Sequence, residues 1–433
     1  MCRRRRRGLV RGTGAFAACF LLWSGVAAAQ ESRLEPLRAS SRANATDAAA
    51  GLAYGRALRR AGHYADATTE LRRALVFARG PVAVDAHYEI ARVALDQRDH
   101  ARALGECRAI ATVSGGGPAS HACVADTHLL WRRASEAHLE TAQALANGNQ
   151  SYEGELAEGL ADELELKDDA AEQAFRTAIG WQPDRWEGHV WLGRLLVRRL
   201  KHDEGVAELK KALALDPEGP EASYELARTL PANDEADQLL HKAINERHDY
   251  GPALRRLADV DLALGRMTQA MAAAATALKV DPTDAASHVV MARVALAEND
   301  LDQAISEGNA ALGIVANSAP AKLLIADAYA KKGQIDLAVE AYEASYGFDH
   351  AEPAALVHAS QACHAAGRDT SAKAFGEKAT KEFPDWAPGW IAYGDALVAN
   401  KENAAARTAY ETALRSHGPL DAAAVRAKLA SMK

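Results

Sequence analysis

Residues 207–230 read "AELKKALALDPEGPEASYELARTL". A helix-like run ends at Asp216-Pro217, and a second run with the same flavour begins within a few residues. The same punctuation returns in "ATALKVDPTDAASHVVMARVAL" at residues 275–296. Proline cannot continue a helix interior, so Pro217 reads as the seam between two copies of one unit. The period of that unit then decides the fold.

The register rests on a small residue in the second helix of each unit. It falls at Ala67, Ala103, Ala137, Ala171, Gly205, Ala236, Ala270, Ala304, Ala338, Ala372 and Ala406. Apart from an opening interval of 36 and one of 31, these anchors lie 34 residues apart. Seven residues after the anchor stands another small or apolar residue, from Ala74 to Ala413, with Ile110 and Ser345 as the departures. Twelve before it lies a third, among them Gly55, Gly159, Gly193, Ala292 and Gly394. In the shortened unit the match is Ala227, nine before its anchor. Small residues at three fixed places let two antiparallel helices cross closely, while Leu192, Leu257 or Ile325 beside them fill the gap. Glycines at 62, 265, 333 and 367 mark the turn inside the unit.

This pattern resembles the tetratricopeptide repeat, a 34-residue unit with W-x2-L-G-x2-Y, then A-x3-F, then A and P. "WEGHVWLGRLLVRRLKHDEGVAELKKALALDP" (186–217) carries Leu192, Gly193, Ala212 and Pro217 in place, and residues 389–414 carry Trp390, Gly394, Ala406, Tyr410 and Ala413. The resemblance implies an all-α solenoid, a right-handed superhelix of about eleven helix-turn-helix units over residues 48–420. Residues 421–433, ending in "KLASMK", read as a capping helix, and residues 30–47 as a flexible lead-in.

Composition agrees with a globular helical chain: 48% hydrophobic, 25% charged and only 6% aromatic. A net charge of -7 argues against a general nucleic-acid binder. The start is of another kind. "MCRRRRRGLVRGTGAFAACFLLWSGVAAAQ" joins a basic stretch, an apolar run and an Ala-x-Ala site after Ala29, the three-part layout of a secretory signal over residues 1–29. If the segment were kept as an anchor, the arginines would still hold the amino end in the cytoplasm and the rest outside it. An exported chain in a bacterial periplasm or envelope is the expectation, and membrane contact is expected only through this segment. Cys107, Cys123 and Cys363 then remain. Cys107 and Cys123 can pair in an oxidising compartment or serve as small core residues.

No catalytic constellation emerges, and neither a cofactor nor a metal site is expected. Gly115-Gly116-Gly117 lacks the Gly-Lys-Ser/Thr of a phosphate loop, and the spacing of His358, Cys363 and His364 does not converge on one helix face. The acidic run "EGELAEGLADELELKDD" reads as a solvated helix surface with Leu156, Leu160 and Leu164 turned inward.

The resemblance implies that the first helix of each unit lines a concave groove. On that face lie Arg56 and Arg92 early in the chain, then Trp191, Arg194 and Arg198, then Tyr224 and Arg228. Later units place Asp259, Asp327 and Asp395 there, beside Val289, Val290, Leu323, Leu324, Val357 and Ile391. Arginine binds carboxylate or phosphate bidentately and stacks on aromatic neighbours, so these positions are candidate binding residues for a segment with an anionic part. The alternative is that Arg194 and Arg228 pair with Glu187, Glu221 or Glu225. The chain thus reads as a non-catalytic adaptor that holds a protein or peptide partner, in envelope assembly or secretion. A structural spacer or self-assembly module with an unused groove, and an accessory of polysaccharide export, are the other readings.

Overall fold

A computed structural model describes residues 32–432, so the signal-like segment over 1–29 lies outside the described residues. The described chain is α-helical, with one isolated bridge between Trp386 and His417 and no strand among the described residues. It divides into two compact units that meet in sequence at Leu264 and Gly265.

The first unit opens with α1 (32–43). Six antiparallel helix pairs follow: α2 (Ala48–Arg60) with α3 (Tyr64–Phe77), α4 (Pro81–Asp96) with α5 (His100–Ser114), and α6 (Pro118–Leu130) with α7 (Ala134–Ala144). Next come α8 (Tyr152–Leu164) with α9 (Asp168–Trp181), α10 (Trp186–Arg198) with α11 (His202–Leu215), and α12 (Pro220–Thr229) with α13 (Asp234–Glu246). The unit ends with α14 (Gly251–Ala263). In the second unit α15 (Met267–Val280) precedes four pairs: α16 (Ala285–Ala297) with α17 (Leu301–Ile314), α18 (Ala319–Lys331) with α19 (Ile335–Phe348), α20 (Ala354–Ala365) with α21 (Asp369–Glu382), and α22 (Ala387–Ala399) with α23 (Asn403–Ala413). The last element is α24 (Ala422–Ser431).

The seam at Pro217 has a local cause. Helix α11 stops at Leu215, and Pro220 starts α12 at its first position, where a missing N–H costs nothing. Proline also enters at the first or second position of α4, α6, α14, α18 and α22. Asp47, Asp284 and Ser318 cap other starts by accepting backbone N–H groups.

Every anchor is buried, and ten of them, all but Gly205, are alanines with no exposed surface. The places seven after and twelve before are buried as well, Ile110, Ser345 and Ser360 included. Gly205 is not a lapse in the pattern. A Cβ there would meet the Gly193 carbonyl oxygen at 2.8 Å, so α10 and α11 cross too closely for any side chain. Opposite Gly159 stands Phe175, whose ring occupies the space a Cβ would need. The intra-pair turns share one conformation. Nine of them place a left-handed residue five positions before the anchor, Gly62, Gly333, Gly367, Arg98, Arg132, Leu166, Leu200, Asn299 and Lys401, and Gly265 does the same ahead of Ala270.

Two readings need correction. The lead-in is not loose over 32–43: Leu34, Leu37, Arg38 and Ser41 form a helical stripe, and Leu34 packs with Leu52 and Leu58. Along the acidic run, Asp162 is buried, and Leu156, Leu160 and Leu164 line a cavity as well as the core edge. Cys107 and Cys123, which the sequence left open, form a disulfide with Cα atoms 5.4 Å apart. Helix α24 lies on α22 and α23 through Val425, which is buried with Leu397, Ala406 and Tyr410. No helix among the described residues is long and apolar enough to cross a membrane.

Candidate functional site

The first helices of the pairs in the first unit turn one face toward a shared cavity of about 960 Å³. α2, α4, α6, α8, α10 and α12 all contribute to its lining. It is closed from one side by the curl of the unit itself. Arg60 on α2 reaches Asp216 after α11 at 2.9 Å, and the Tyr64 hydroxyl donates to Asp249 after α13 at 2.6 Å. Arg247 lies 3.3 Å from Asp96 on α4, the rings of His63 and His248 have centroids 6.0 Å apart, and Arg33 on α1 pairs with Glu246. The first and last pairs of the unit therefore touch.

Five of the seven candidate residues line the cavity: Arg92, Trp191, Arg194, Arg198 and Arg228. Tyr224 and Arg56 lie outside the lining. Tyr224 packs edge-on against Tyr250 at 5.3 Å, and Arg56 bonds to Glu89 and Asp85 at 3.0 and 3.2 Å. The expected stacking on helical spacing is present. The guanidinium of Arg194 sits 4.5 Å from the Trp191 ring, that of Arg92 4.9 Å from Tyr88, and that of Arg228 5.8 Å from Tyr224.

The arginines do not make the cavity basic. Eight arginines and seven carboxylates line the cavity, so its charge nearly balances. Arg228 pairs with Glu225 at 2.7 Å, as the alternative anticipated. Arg194, however, pairs with Glu163 of the preceding helix pair, and Arg198 with Asp168 at 2.6 Å. Glu187 belongs to Arg185, at 2.9 Å. Arg92 shares the buried Glu89 with Arg56 and Arg59. Burial would raise the Glu89 carboxyl, but Arg59, Arg92 and Arg56 together hold it down at about 2. Asp126 and Glu225 show the opposite balance: burial outweighs Arg92 at the first and Arg228 at the second, and both carboxyls rise. One donor stays open. Arg194 Nε is buried and has no hydrogen-bond partner.

In the second unit the carboxylates are used within the fold. Asp327 accepts from the Tyr342 hydroxyl at 2.7 Å and meets His358 at 2.9 Å, while Asp395 takes Tyr410 at 2.6 Å and Lys428. Val289, Val290, Leu324 and Val357 are core residues, not a free apolar strip. Trp186, which lines the cavity with Arg60 stacked 5.9 Å from its ring, was not singled out from the sequence. Its signal is its place at the start of α10, five residues before Trp191.

Two family models described as tetratricopeptide repeat match the chain. One covers residues 52–120, 167–220, 192–237 and 255–319, the other 319–349, together more than half of it. The crystal structure of yeast Tom70 is similar at 15% identity, over 89% of this chain and 95% of its own, with a TM-score of 0.48. A tetratricopeptide repeat protein from Parabacteroides merdae is similar at 15% identity, over 66% of this chain and 99% of its own, with a TM-score of 0.41. No curated protein matches the chain in sequence. With eleven registered anchors buried at helix crossings and these models matching along its length, the chain belongs to the tetratricopeptide repeat family, typically non-catalytic, and its repeats make it a protein-interaction scaffold.

Proposed function

We propose that the protein is an exported adaptor whose first unit holds a segment of a protein partner in its cavity, in envelope assembly or secretion. One observation carries the reading: Arg194 is stacked on Trp191 with an unpartnered, buried Nε at the wall of a cavity of about 960 Å³. A cavity of that size lies at the upper end of the range typical for bound ligands. A carboxylate on the segment competes with Glu163 and Glu225 for the guanidinium groups of Arg194 and Arg228. Export is supported by the basic, apolar and Ala-x-Ala succession ending at Ala29, and by the paired Cys107 and Cys123, since disulfides persist in oxidising compartments.

The test is partner capture from an envelope fraction by wild type and by Arg194→Ala with Arg228→Ala. Charge-assisted bonds contribute about 1.5–3 kcal/mol each, and about 1.4 kcal/mol is already tenfold, so capture falls at least tenfold. Undiminished capture by a folded double mutant would falsify groove binding as stated. A second reading, a spacer with an unused groove, is favoured by the pairing of each candidate arginine with a carboxylate of its own chain. It requires that the double mutant behave as wild type while removal of the chain from Asp421 abolishes end contacts. Amino-terminal sequencing of envelope-purified protein starts at Gln30 if processing follows Ala29.

A further inference from the structure

His138 on α7 holds its two ring nitrogens in unequal surroundings. Nδ1 lies 3.0 Å from Glu158 on α8, which also accepts from the Thr141 hydroxyl. Nε2 is buried and has no hydrogen-bond partner. It faces Glu165 Oε2 at 3.6 Å and Asp162 Oδ1 at 3.8 Å, both too far for a hydrogen bond.

Of the four other histidines that reach a glutamate through Nδ1, His87, His121, His189 and His288, the last two differ at this point. His189 and His288 meet Glu208 and Glu307 at 2.6 and 2.7 Å, but their Nε2 atoms lie 3.1 and 3.0 Å from the carbonyls of Pro183 and Pro282. At His138 the second nitrogen ends instead on two carboxylates. Zinc bonds of about 2.0–2.2 Å at the tetrahedral angle put ligand atoms about 3.3–3.6 Å apart, within a few tenths of an ångström of the two distances from Nε2 to the carboxylates.

We propose that His138 Nε2, Asp162 and Glu165 form a binding site for a divalent first-row transition ion, zinc fitting best. Glu158 accepts from Nδ1–H and so fixes the tautomer that leaves the Nε2 lone pair facing the ion, the carboxylate–histidine–metal arrangement. Glu158, Asp162 and Glu165 stand at i, i+4 and i+7, on one side of α8 and its C-cap, directly across from α7. The Asp162 side chain is only 9% exposed, so its charge is costly without a cation. Lys167, 2.6 Å from Glu165, stands at the rim and is 56% exposed, so it can swing into solvent when the ion enters. The imidazole ligand selects a transition ion over calcium or magnesium.

The experiment is titration of the untagged, metal-stripped full chain with zinc by calorimetry, with thermal melting in parallel. One saturable site and a raised melting temperature are expected, with no saturation by calcium or magnesium. His138→Ala abolishes that binding, and the near-isosteric Asp162→Asn weakens it at least tenfold. Glu158→Gln, which only orients the ring, weakens it about ten- to a hundredfold. Circular dichroism shows which variants remain folded, and the exposed Glu165→Gln keeps the question open to measurement if His138→Ala unfolds. Absence of saturable zinc uptake, uptake unchanged in folded His138→Ala or Asp162→Asn, or saturation by calcium in place of zinc overturns the proposal.

Discussion

Gly193 and Gly205 face each other across α10 and α11 so closely that a Cβ on either would lie within 3 Å of the other's carbonyl oxygen. Alanine occupies the anchor in the ten other repeats, so a consensus argument favours Gly205→Ala. The geometry demands the reverse. Forcing atoms into a packed crossing costs about 1–3 kcal/mol, and Gly205→Ala is expected to lower the unfolding free energy by that amount, read from a lowered denaturant midpoint. Ala304→Gly, at an ordinary anchor, loses less than Ala304→Leu. A Gly205→Ala chain as stable as wild type would disprove the close crossing.

Leu200 offers a gain in stability. It is 91% exposed and held at φ +62°, where an L-residue costs about 1–2 kcal/mol relative to the right-handed region. Glycine loses about 0.5–1 kcal/mol in chain entropy, so Leu200→Gly nets about 0.5–1 kcal/mol of stabilisation. Leu200→Asn follows in the same direction, and Leu200→Val is destabilising because a β-branched residue fits this conformation poorly. Urea melts of the three variants rank them.

Acid should act on Glu89. Its carboxyl lies near 2, below its ordinary 4.5, so its contribution is present above about pH 4.5 and is lost as pH falls toward 2. The shift corresponds to about 3 kcal/mol. Glu89→Gln lowers stability by about that much at neutral pH and flattens the acid limb of the stability profile. A variant whose stability still falls as steeply between pH 4.5 and 2 would show that other groups carry the acid sensitivity.

Arg247 joins Asp96, Asp249 and Glu221 at 3.3, 3.2 and 3.9 Å, and only a fifth of it is exposed. Arg247→Met strands these carboxylates and is expected to cost about 3 kcal/mol. Amide exchange should rise in α2 and α3, where Tyr64 meets Asp249. Tyr64→Phe, which removes the bond to Asp249 and a longer one from Arg247, costs about 1.5–3 kcal/mol. Unchanged exchange in α2 and α3 with either variant would mean that these contacts do not close the unit.

The register was readable because helix crossings tolerate only small residues, and Ala67 to Ala406 show that in one dimension. The turns were half readable. Gly62, Gly265, Gly333 and Gly367 announce a left-handed residue, but Arg98, Leu166 and Leu200 adopt it because the flanking helices impose it. The stacked pairs Trp191–Arg194 and Tyr224–Arg228 follow from spacing on one helix. Their charge partners do not, because Glu163 and Asp168 come from the preceding repeat, 31 and 30 residues back from Arg194 and Arg198. Opposite charges 32 residues apart recur at Arg185–Glu153 and Arg368–Asp336, so a search two to four residues short of the repeat length would have found them. The curl that brings Tyr64 to Asp249 has no such trace, since it accumulates from the tilt of every intervening pair.

A repeat array ordinarily melts as a row of neighbours, each held only by the next, and its ends fray first. The bonds from Arg60 to Asp216 and from Tyr64 to Asp249 join positions 156 and 185 residues apart, which removes the free end from that row. Such distant contacts are entropically late to form. Loss of α2 and α3 would therefore release the far side of the first unit as well as its near side, and refolding should show a slow final step as the two ends meet.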